Sequence, residues 1–534
     1  MYVKLRDHHH WILPEVLAYQ SATRGGKPFI TMVDGETMTY AEAEICAAKV
    51  AGFMSDLGVR AGDTVAVMMP NGLDYVRIWL GLGRLGAIMV ALNTGLKGAF
   101  LEHQLNNSGA RLTLFHETFL DVLQDVASRT PDVATVIVAR DDSGASIPEC
   151  GGWRILGFEG WKDALAYDGP LPRYTDITSI IYTSGTTGPS KGVLIPHAHA
   201  YLFGLGMIDN HAMTEDDVFY VTMPMFHVNG LYLQVYAALI AGASVAMRPR
   251  FSASAWIEDI RRYGATITNA LGAMASFVFA APATPHDRDH KLRIIQTAPN
   301  PPEHDRIWRD RFGIRDVLSG FGMTEVNLPV YGRMGPPRPG VAGLVYDRYF
   351  ELEIRDPETD EPVPSGTVGE IMVRPKLPFA FMAGYYRMPD KTVEAWRNFW
   401  FHTGDAGTKD ADGYVTFIDR IKDCIRRRGE NVSSFEVEAA VSAMPGVKEV
   451  AAFAVPADMP GGEDEVMLAV VPLPDAKITA QEVADFADGC LPRFAQPRYI
   501  EIVDTLPRTP TEKVQKNKLR ARGVGNNTWD RSTR

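Results

Sequence analysis

Between residues 28 and 140 short apolar runs alternate with longer segments of helical periodicity, and no other feature restricts the fold of this chain so strongly. Asp63-Thr-Val-Ala-Val-Met-Met-Pro70 reads as a buried strand closed by proline, 74–85 as an amphipathic helix, and 87–93, 111–116 and 135–140 as further strands. Apolar strands separated by helices imply βαβ units and a mainly parallel sheet covered on both faces. Residues 141–175 are rich in Gly and Pro and read as loop. The alternation returns from 218 to 322, with strands expected at 218–224, 244–249, 293–299 and 316–322 and a helix at 253–263 that Ser252 would N-cap. Beyond 340 shorter runs and frequent turn signals indicate β-rich pieces. A charged connector, Asp419-Arg-Ile-Lys-Asp423, then leads into a compact α+β pattern: a helix at 434–442, strands at 449–455 and 466–471, and a helix at 480–488.

At 534 residues the chain exceeds one ordinary core, so two or more domains of roughly 100–200 residues are expected. The reading is α/β: a large N-terminal domain of parallel-rich sheets flanked by helices plus a β-rich subdomain, residues 1–420, followed by a small α+β C-terminal domain, residues 421–534.

With 46% hydrophobic and 22% charged residues the composition is that of a soluble globular protein, and a net charge of -11 argues against a nucleic-acid surface or adhesion to anionic lipid. Cys46, Cys150, Cys424 and Cys490 are scattered without metal-ligand spacing, which fits a reducing, cytoplasmic compartment. The N-terminus carries His8-His9-His10 but no apolar signal-peptide run, and reads as a polar segment. Residues 230–247 and 265–283 lack charge, yet Gly242-Ala-Ser interrupts the first and Thr266, Thr268, Asn269, Ser276 and Pro282 the second. Both are expected to be buried elements instead of membrane spans.

Chemistry concentrates in Tyr182-Thr-Ser-Gly-Thr-Thr-Gly-Pro-Ser-Lys-Gly192, where five Ser/Thr residues and three glycines surround one lysine, directly after the expected strand 176–182. Backbone N–H groups, hydroxyls and an ammonium on a glycine-rich turn suit phosphate oxygens. Taken alone, such a turn is more often an ordinary surface loop. It is not a Walker loop, because Ser190 precedes the lysine and Gly192 follows it. A second glycine run, Gly81-Leu-Gly-Arg-Leu-Gly86, matches the dinucleotide fingerprint in letters. It closes a helix instead of opening one, so close packing is the better account. Two further loops follow expected strands, Pro224-Met-Phe-His-Val-Asn-Gly230 and Ser319-Gly-Phe-Gly-Met-Thr-Glu325, and could share one cleft.

These segments, taken in order with Trp400-Phe-His-Thr-Gly-Asp405, Asp419-Arg-Ile-Lys-Asp423, Gly429-Glu-Asn-Val432 and Leu506-Pro-Arg-Thr-Pro-Thr-Glu-Lys513, resemble the adenylate-forming superfamily of acyl-CoA synthetases, luciferases and adenylation domains. Each motif is weak singly, but their order and spacing span nearly the whole chain. The resemblance implies that a carboxylate attacks the α-phosphate of ATP, pyrophosphate leaves, and the acyl-adenylate passes its acyl group to coenzyme A. Two anions must then meet, which calls for fixed donors and cationic neutralisation.

By this resemblance Thr183, Ser184, Gly185, Thr186, Thr187 and Lys191 enclose the outer phosphates, Glu325 holds Mg²⁺ and Thr324 touches the α-phosphate. Phe321, between Gly320 and Gly322, packs on adenine opposite Ala298 and Pro299. Asp405 holds the ribose, and Arg420 adds a second ribose or phosphate contact. Lys513 bridges the substrate carboxylate and α-phosphate, although Glu512 stands where most relatives have glycine. Lys422 is the hinge about which a mobile C-terminal domain turns, Gly429 with the preceding arginines lines the pantetheine route, and His227 gates the acyl and thiol pockets. Without the family, Glu325 would be an N-terminal helix carboxylate, His227 a structural histidine and Lys513 one of a solvated run.

The loop 224–230 has no aspartate to pair with an α-amine, so a peptide-synthetase module is disfavoured, and the segments 428–434 and 509–516 look most like bacterial ligases of the carnitine/crotonobetaine-CoA type. An expected acyl lining of His227, Asn229, Gly230, Thr297, Asn300 and 326–330 suits a small or medium acid with some polarity. The alternatives are an adenylate-forming enzyme with another acceptor and a nucleotide-binding sensor without turnover. Expected partners are the acid, ATP and CoA, without nucleic acid or membrane insertion, and with homodimer formation left open.

Overall fold

The computed structural model describes residues 7–141, 152–183, 189–298, 300–420, 424–427, 430–458, 463–474, 476–507 and 514–533. Within them an eight-stranded sheet runs in the order Gly384–Tyr385, Lys191–Pro196, Ile177–Thr183, Ile88–Ala91, Thr64–Met68, Leu112–His116, Thr135–Ala139 and Arg154–Gly157. From Ile177–Thr183 onward its pairs are parallel, and its central strands are apolar and buried on both faces, as a sheet covered by helices requires. A seven-stranded sheet brings together Asp316–Leu318, Ile294–Gln296, Ile267–Asn269, Val218–Val221, Ser244–Met247, Pro28–Met32 and Thr37–Thr39, parallel except at its last pair. An antiparallel seven-stranded sheet between 320 and 420 is the expected β-rich part, and among the described residues a four-stranded sheet with the helices Ser434–Ser442, Ala480–Cys490 and Lys516–Arg522 forms the C-terminal α+β unit.

Several sequence expectations need correction. Residues 154–157, read as loop, form the edge strand of the first sheet, because pairing beside Thr135–Ala139 satisfies their backbone in spite of the flanking glycines. Ser252 does not cap a helix: its hydroxyl lies 3.2 Å from that of Ser254, and the helix Trp256–Arg262 begins after Ala255. The expected strand 316–322 is two strands, Asp316–Leu318 in the parallel sheet and Gly320–Met323 in the antiparallel one, with the chain changing sheets at Ser319.

The glycine run 81–86 lies where close packing demands it. Gly81 and Gly83 sit inside the helix Leu73–Leu85, Gly86 ends it with φ of 76°, and a Cβ on Gly81 would stand 2.4 Å from the Val50 side chain. The stretch 230–247 is mostly buried, as expected, but 265–283 is only partly so: its strand Ile267–Asn269 is buried, whereas its helix Gly272–Ala280 leaves Phe277 49% exposed. Among the described residues no helix is long and apolar enough to cross a membrane. His8–His10 form a short 3-10 helix capped by Asp7.

Candidate active site

The glycine-rich loop closes a hairpin. Ile177–Thr183 and Lys191–Pro196 pair antiparallel, with Thr183 opposite Lys191 and Tyr182 opposite Gly192, so the lysine returns beside the first hydroxyl of the loop. Gly192 follows the lysine because the sheet leaves no room: a Cβ there would be 2.8 Å from Ile180 Cγ2. Ser184, Gly185, Thr186 and Thr187 lie outside the described residues.

Glu325 meets this hairpin from another sheet. It is buried, and its Oε1 accepts hydrogen bonds from Thr183 Oγ1 at 3.1 Å and from the Tyr385 hydroxyl at 3.0 Å. Both bonds fall on one oxygen, so Oε2 is the oxygen suited to a hard cation. Lys191 Nζ lies 4.2 Å from the centre of the same Tyr385 ring, so one aromatic side chain steadies the lysine and the carboxylate together. The carboxylate of Glu325 with the hydroxyl oxygens of Thr183 and Tyr385 beside it fits Mg²⁺ by donor chemistry. The turn carrying Thr324 and Glu325 is fixed by Asn327, a left-handed residue with φ of 71° whose Nδ2 donates to His199 O at 3.0 Å while its Oδ1 accepts from Leu328 N at 2.9 Å.

The expected nucleoside residues are distributed over the strand ends. Phe321 is buried and stacks at 6.0 Å on Phe417 between Gly320 and Gly322, and Ala298 is half-buried just past Ile294–Gln296. Asp405 is buried, and its backbone pairs with that of Arg420 across antiparallel strands. Pro299, Lys422, Gly429 and Lys513, with its neighbour Glu512, lie outside the described residues.

His227 stands at a junction. Its Nε2 lies 2.9 Å from Glu430 Oε1, which also accepts from Asn93 Nδ2 at 3.2 Å. Burial lowers the His227 pKa, but the charge and hydrogen bond of Glu430 outweigh it, and the net shift is upward from 6.5. Both residues line a cavity of about 390 Å³ whose walls include Phe119, Phe251, Met274, Phe277 and Arg250. They also line a smaller one of about 60 Å³ that continues to Ser190 and Glu436. Glu430 belongs to the hairpin Cys424–Arg427 and Glu430–Ser433, and Glu436 to the next helix, so residues from beyond the charged connector complete this wall. The backbone N–H of Ser190, at the end of the glycine-rich loop, donates to Glu436. Burial raises the Glu436 pKa to about 7, against the lowering effect of that hydrogen bond.

The chain matches known proteins over most of its length. The AMP-binding enzyme profile covers residues 17–386, and the AMP-binding enzyme C-terminal domain covers 436–513. The chain belongs to the AMP-binding enzyme family. A crotonobetaine/carnitine–CoA ligase of Salmonella heidelberg is 30% identical over 483 residues, covering 88% of this chain and 91% of that protein. The crystal structure of ATP-bound MatB from Rhodopseudomonas palustris superposes with a TM-score of 0.67 at 27% identity, covering 95% of this chain and 98% of that one. The o-succinylbenzoate CoA synthetase of Bacillus subtilis, with a TM-score of 0.81 at 24% identity over 96% of this chain and 99% of its own, shares the fold.

Sequence reasoning missed three residues of this AMP-binding enzyme. Tyr385 reaches Glu325 and Lys191 only because the two-residue strand Gly384–Tyr385 pairs with Lys191–Pro196. Glu430 stood inside a recognised motif but its partner is 203 residues away, and Glu436 likewise meets Ser190 from 246 residues away. Of the expected acyl lining, Val326 and Val330 belong instead to the hydrophobic core, where fully buried β-branched side chains pack, and Asn300 donates to Asp305 at 3.0 Å.

Proposed function

We propose that this protein activates a small or medium carboxylic acid as its acyl-adenylate, releasing pyrophosphate from ATP, and transfers the acyl group to the thiol of coenzyme A. It acts as an AMP-forming acid–thiol ligase. Residues 1–420 carry the ATP and acid sites, and 421–534 form a domain that changes orientation between the two half-reactions. Membership of the family, the relatives above and the site geometry support this reading.

In adenylation the hairpin from Thr183 to Lys191, with Ser184, Gly185, Thr186 and Thr187, holds the phosphates that depart. Glu325 would hold Mg²⁺, which when bound would supply charge neutralisation at the phosphate oxygens. Thr324 contacts the α-phosphate, Asp405 and Arg420 the ribose, and Phe321 with Ala298 and Pro299 the adenine. Lys513 offsets the repulsion between the carboxylate and α-phosphate as a compact point charge.

The observation that carries the second half is the cavity at His227 and Glu430. Its largely apolar walls suit the pantetheine arm, and Arg250 on its lining suits a phosphate. Glu430 holds the His227 ring, and Lys422 and Gly429 act as hinge and channel residues. Scattered cysteines support a cytoplasmic location.

The test is pyrophosphate release from ATP with a panel of carboxylic acids, with and without CoA. Acid-dependent pyrophosphate and CoA-dependent thioester are expected. Pyrophosphate without thioester would point to another acceptor, and no nucleotide chemistry with any acid to a sensor.

A further inference from the structure

Three amide side chains, Asn229, Gln234 and Asn269, meet near the carboxyl ends of the parallel strands, just beyond His227, and Gln296 lies on the strand beside Asn269. Asn229 opens a π-helix that runs to Tyr236, and the wider i→i+5 turn sets Gln234 directly over it. Gln234 Nε2 donates to Asn229 Oδ1 at 2.9 Å, and Asn269 Nδ2 donates to the same oxygen at 2.9 Å. Asn269 and Gln296 are register partners on adjacent parallel strands, so their side chains share one face. Gln296 Nε2 would stand 3.4 Å from a Cβ on Gly320, which places it against the start of the segment leading to Glu325.

This cluster is buried and incompletely bonded. Gln234, Asn269 and Gln296 are 0%, 1% and 5% exposed. Gln234 Oε1, Asn269 Oδ1 and Gln296 Oε1 are each enclosed without a hydrogen-bond partner. A buried carbonyl oxygen left unsatisfied forfeits its hydration without a compensating hydrogen bond. Three together, beside the strand ends where an α/β sheet binds its ligand, make a wall that accepts hydrogen bonds. All four members are neutral, so the wall supplies no counter-charge for an ammonium.

We infer that the acid activated here carries a neutral hydrogen-bond donor, a hydroxyl or a carboxamide N–H, at the end remote from its carboxylate, and that Gln234, Asn269 and Gln296 receive it. This rests on the carboxylate-activating reading and narrows its substrate class. The three oxygens act as specificity determinants: a donor satisfies them, and a methyl group leaves them buried and unpaired.

The test compares straight-chain acids of equal length ending in methyl, hydroxyl, carboxamide, ketone or ammonium, followed by ATP- and CoA-dependent thioester formation. For the unmodified enzyme, kcat/KM for the hydroxyl or carboxamide acid is expected to exceed that of the methyl acid by about 100-fold or more. In Gln234→Leu and Gln296→Leu the ratio should fall to about 10 or less. Equal or better turnover of the methyl acid by the unmodified enzyme would overturn the inference while leaving the ligase reading intact. Preference for the ketone, which only accepts, would overturn it by showing that the amides present nitrogen, and preference for the ammonium would overturn the neutral-donor assignment. Thioester formed from none of the acids would overturn both readings. The comparison within the unmodified enzyme decides the matter even where a variant fails to fold.

Discussion

The His227 imidazole and the Glu430 carboxylate face each other at 2.9 Å across a junction between chain segments 203 residues apart. One lies on a strand-end loop of the parallel sheet system, the other on a hairpin beyond the charged connector. Their contact makes the wall of the proposed thiol channel a joint product of both parts of the chain, and it ties the protonation of His227 to the position of the hairpin.

Glu430 raises the His227 pKa above 6.5 despite burial. The stabilisation from the charged pair is therefore full below pH 6.5 and fades as pH rises through the raised value. Glu430→Gln removes the charge and leaves the opposing effect of burial. The midpoint of the pH profile for thioester formation from supplied acyl-adenylate should move to lower pH. An unmoved midpoint would assign that profile to another group.

Glu436 is raised to about 7 by burial, against a carboxylate's usual 4.5. Its contribution to stability is fully present below pH 4.5 and declines as pH rises through about 7, because ionising it inside the protein is unfavourable. Glu436→Gln keeps an acceptor for the Ser190 N–H. Thermal unfolding should show the variant more stable than the parent by about 2 °C or more at pH 8 and the two alike at pH 4. A constant difference across this range would mean that the carboxyl does not titrate there.

Glu325 accepts from Thr183 and Tyr385 beside the hairpin of Ile177–Thr183 and Lys191–Pro196. Glu325→Gln should reduce kcat/KM for pyrophosphate release by about 100- to 1000-fold and shift the Mg²⁺ dependence to higher concentration. Tyr385→Phe removes one hydrogen bond worth about 1 kcal/mol, so a loss of roughly fivefold is expected. Assays over a Mg²⁺ series separate the two. An unchanged metal dependence in the glutamine variant would remove Glu325 from the cation site.

Lys513→Ala should abolish adenylation, by about 100-fold or more, yet largely spare CoA transfer from a supplied acyl-adenylate. Equal loss in both half-reactions would contradict its role at the α-phosphate.

Gly81→Val should destabilise the protein by about 1–3 kcal/mol through overpacking against Val50. Added NAD should leave the melting temperature of the parent unchanged. A shift with NAD would revive the dinucleotide reading of the run 81–86.

Much of the architecture follows from local pattern. The expected helix 434–442 coincides with Ser434–Ser442, and the apolar run 63–70 contains the strand Thr64–Met68, because burial on two faces leaves a continuous hydrophobic signature. The misread segments are those where local signals conflict with tertiary pairing. Arg154–Gly157 is too short, and too close to Gly151, Gly152 and Gly160, to announce a strand, and exists because an open sheet edge accepts it. The break at Ser319 has no composition cue, since either half is an acceptable strand and only membership of two sheets divides them.

By itself the sequence determined the βαβ plan, the absence of a helix fit to span a membrane among the described residues, and the motifs that mark an AMP-binding enzyme, because hydrophobic periodicity and loop chemistry are properties of neighbours along the chain. Tertiary structure alone decided that Tyr385 serves both Lys191 and Glu325, that Glu430 answers His227, and that Gln234, Asn269 and Gln296 are buried with amide oxygens left without a hydrogen-bond partner. Each of these relations joins residues from different strands, helices or sheets. Hydrogen bonds and burial depend on distance in space, and no periodicity along the chain records which distant side chains will come within 3 Å of one another.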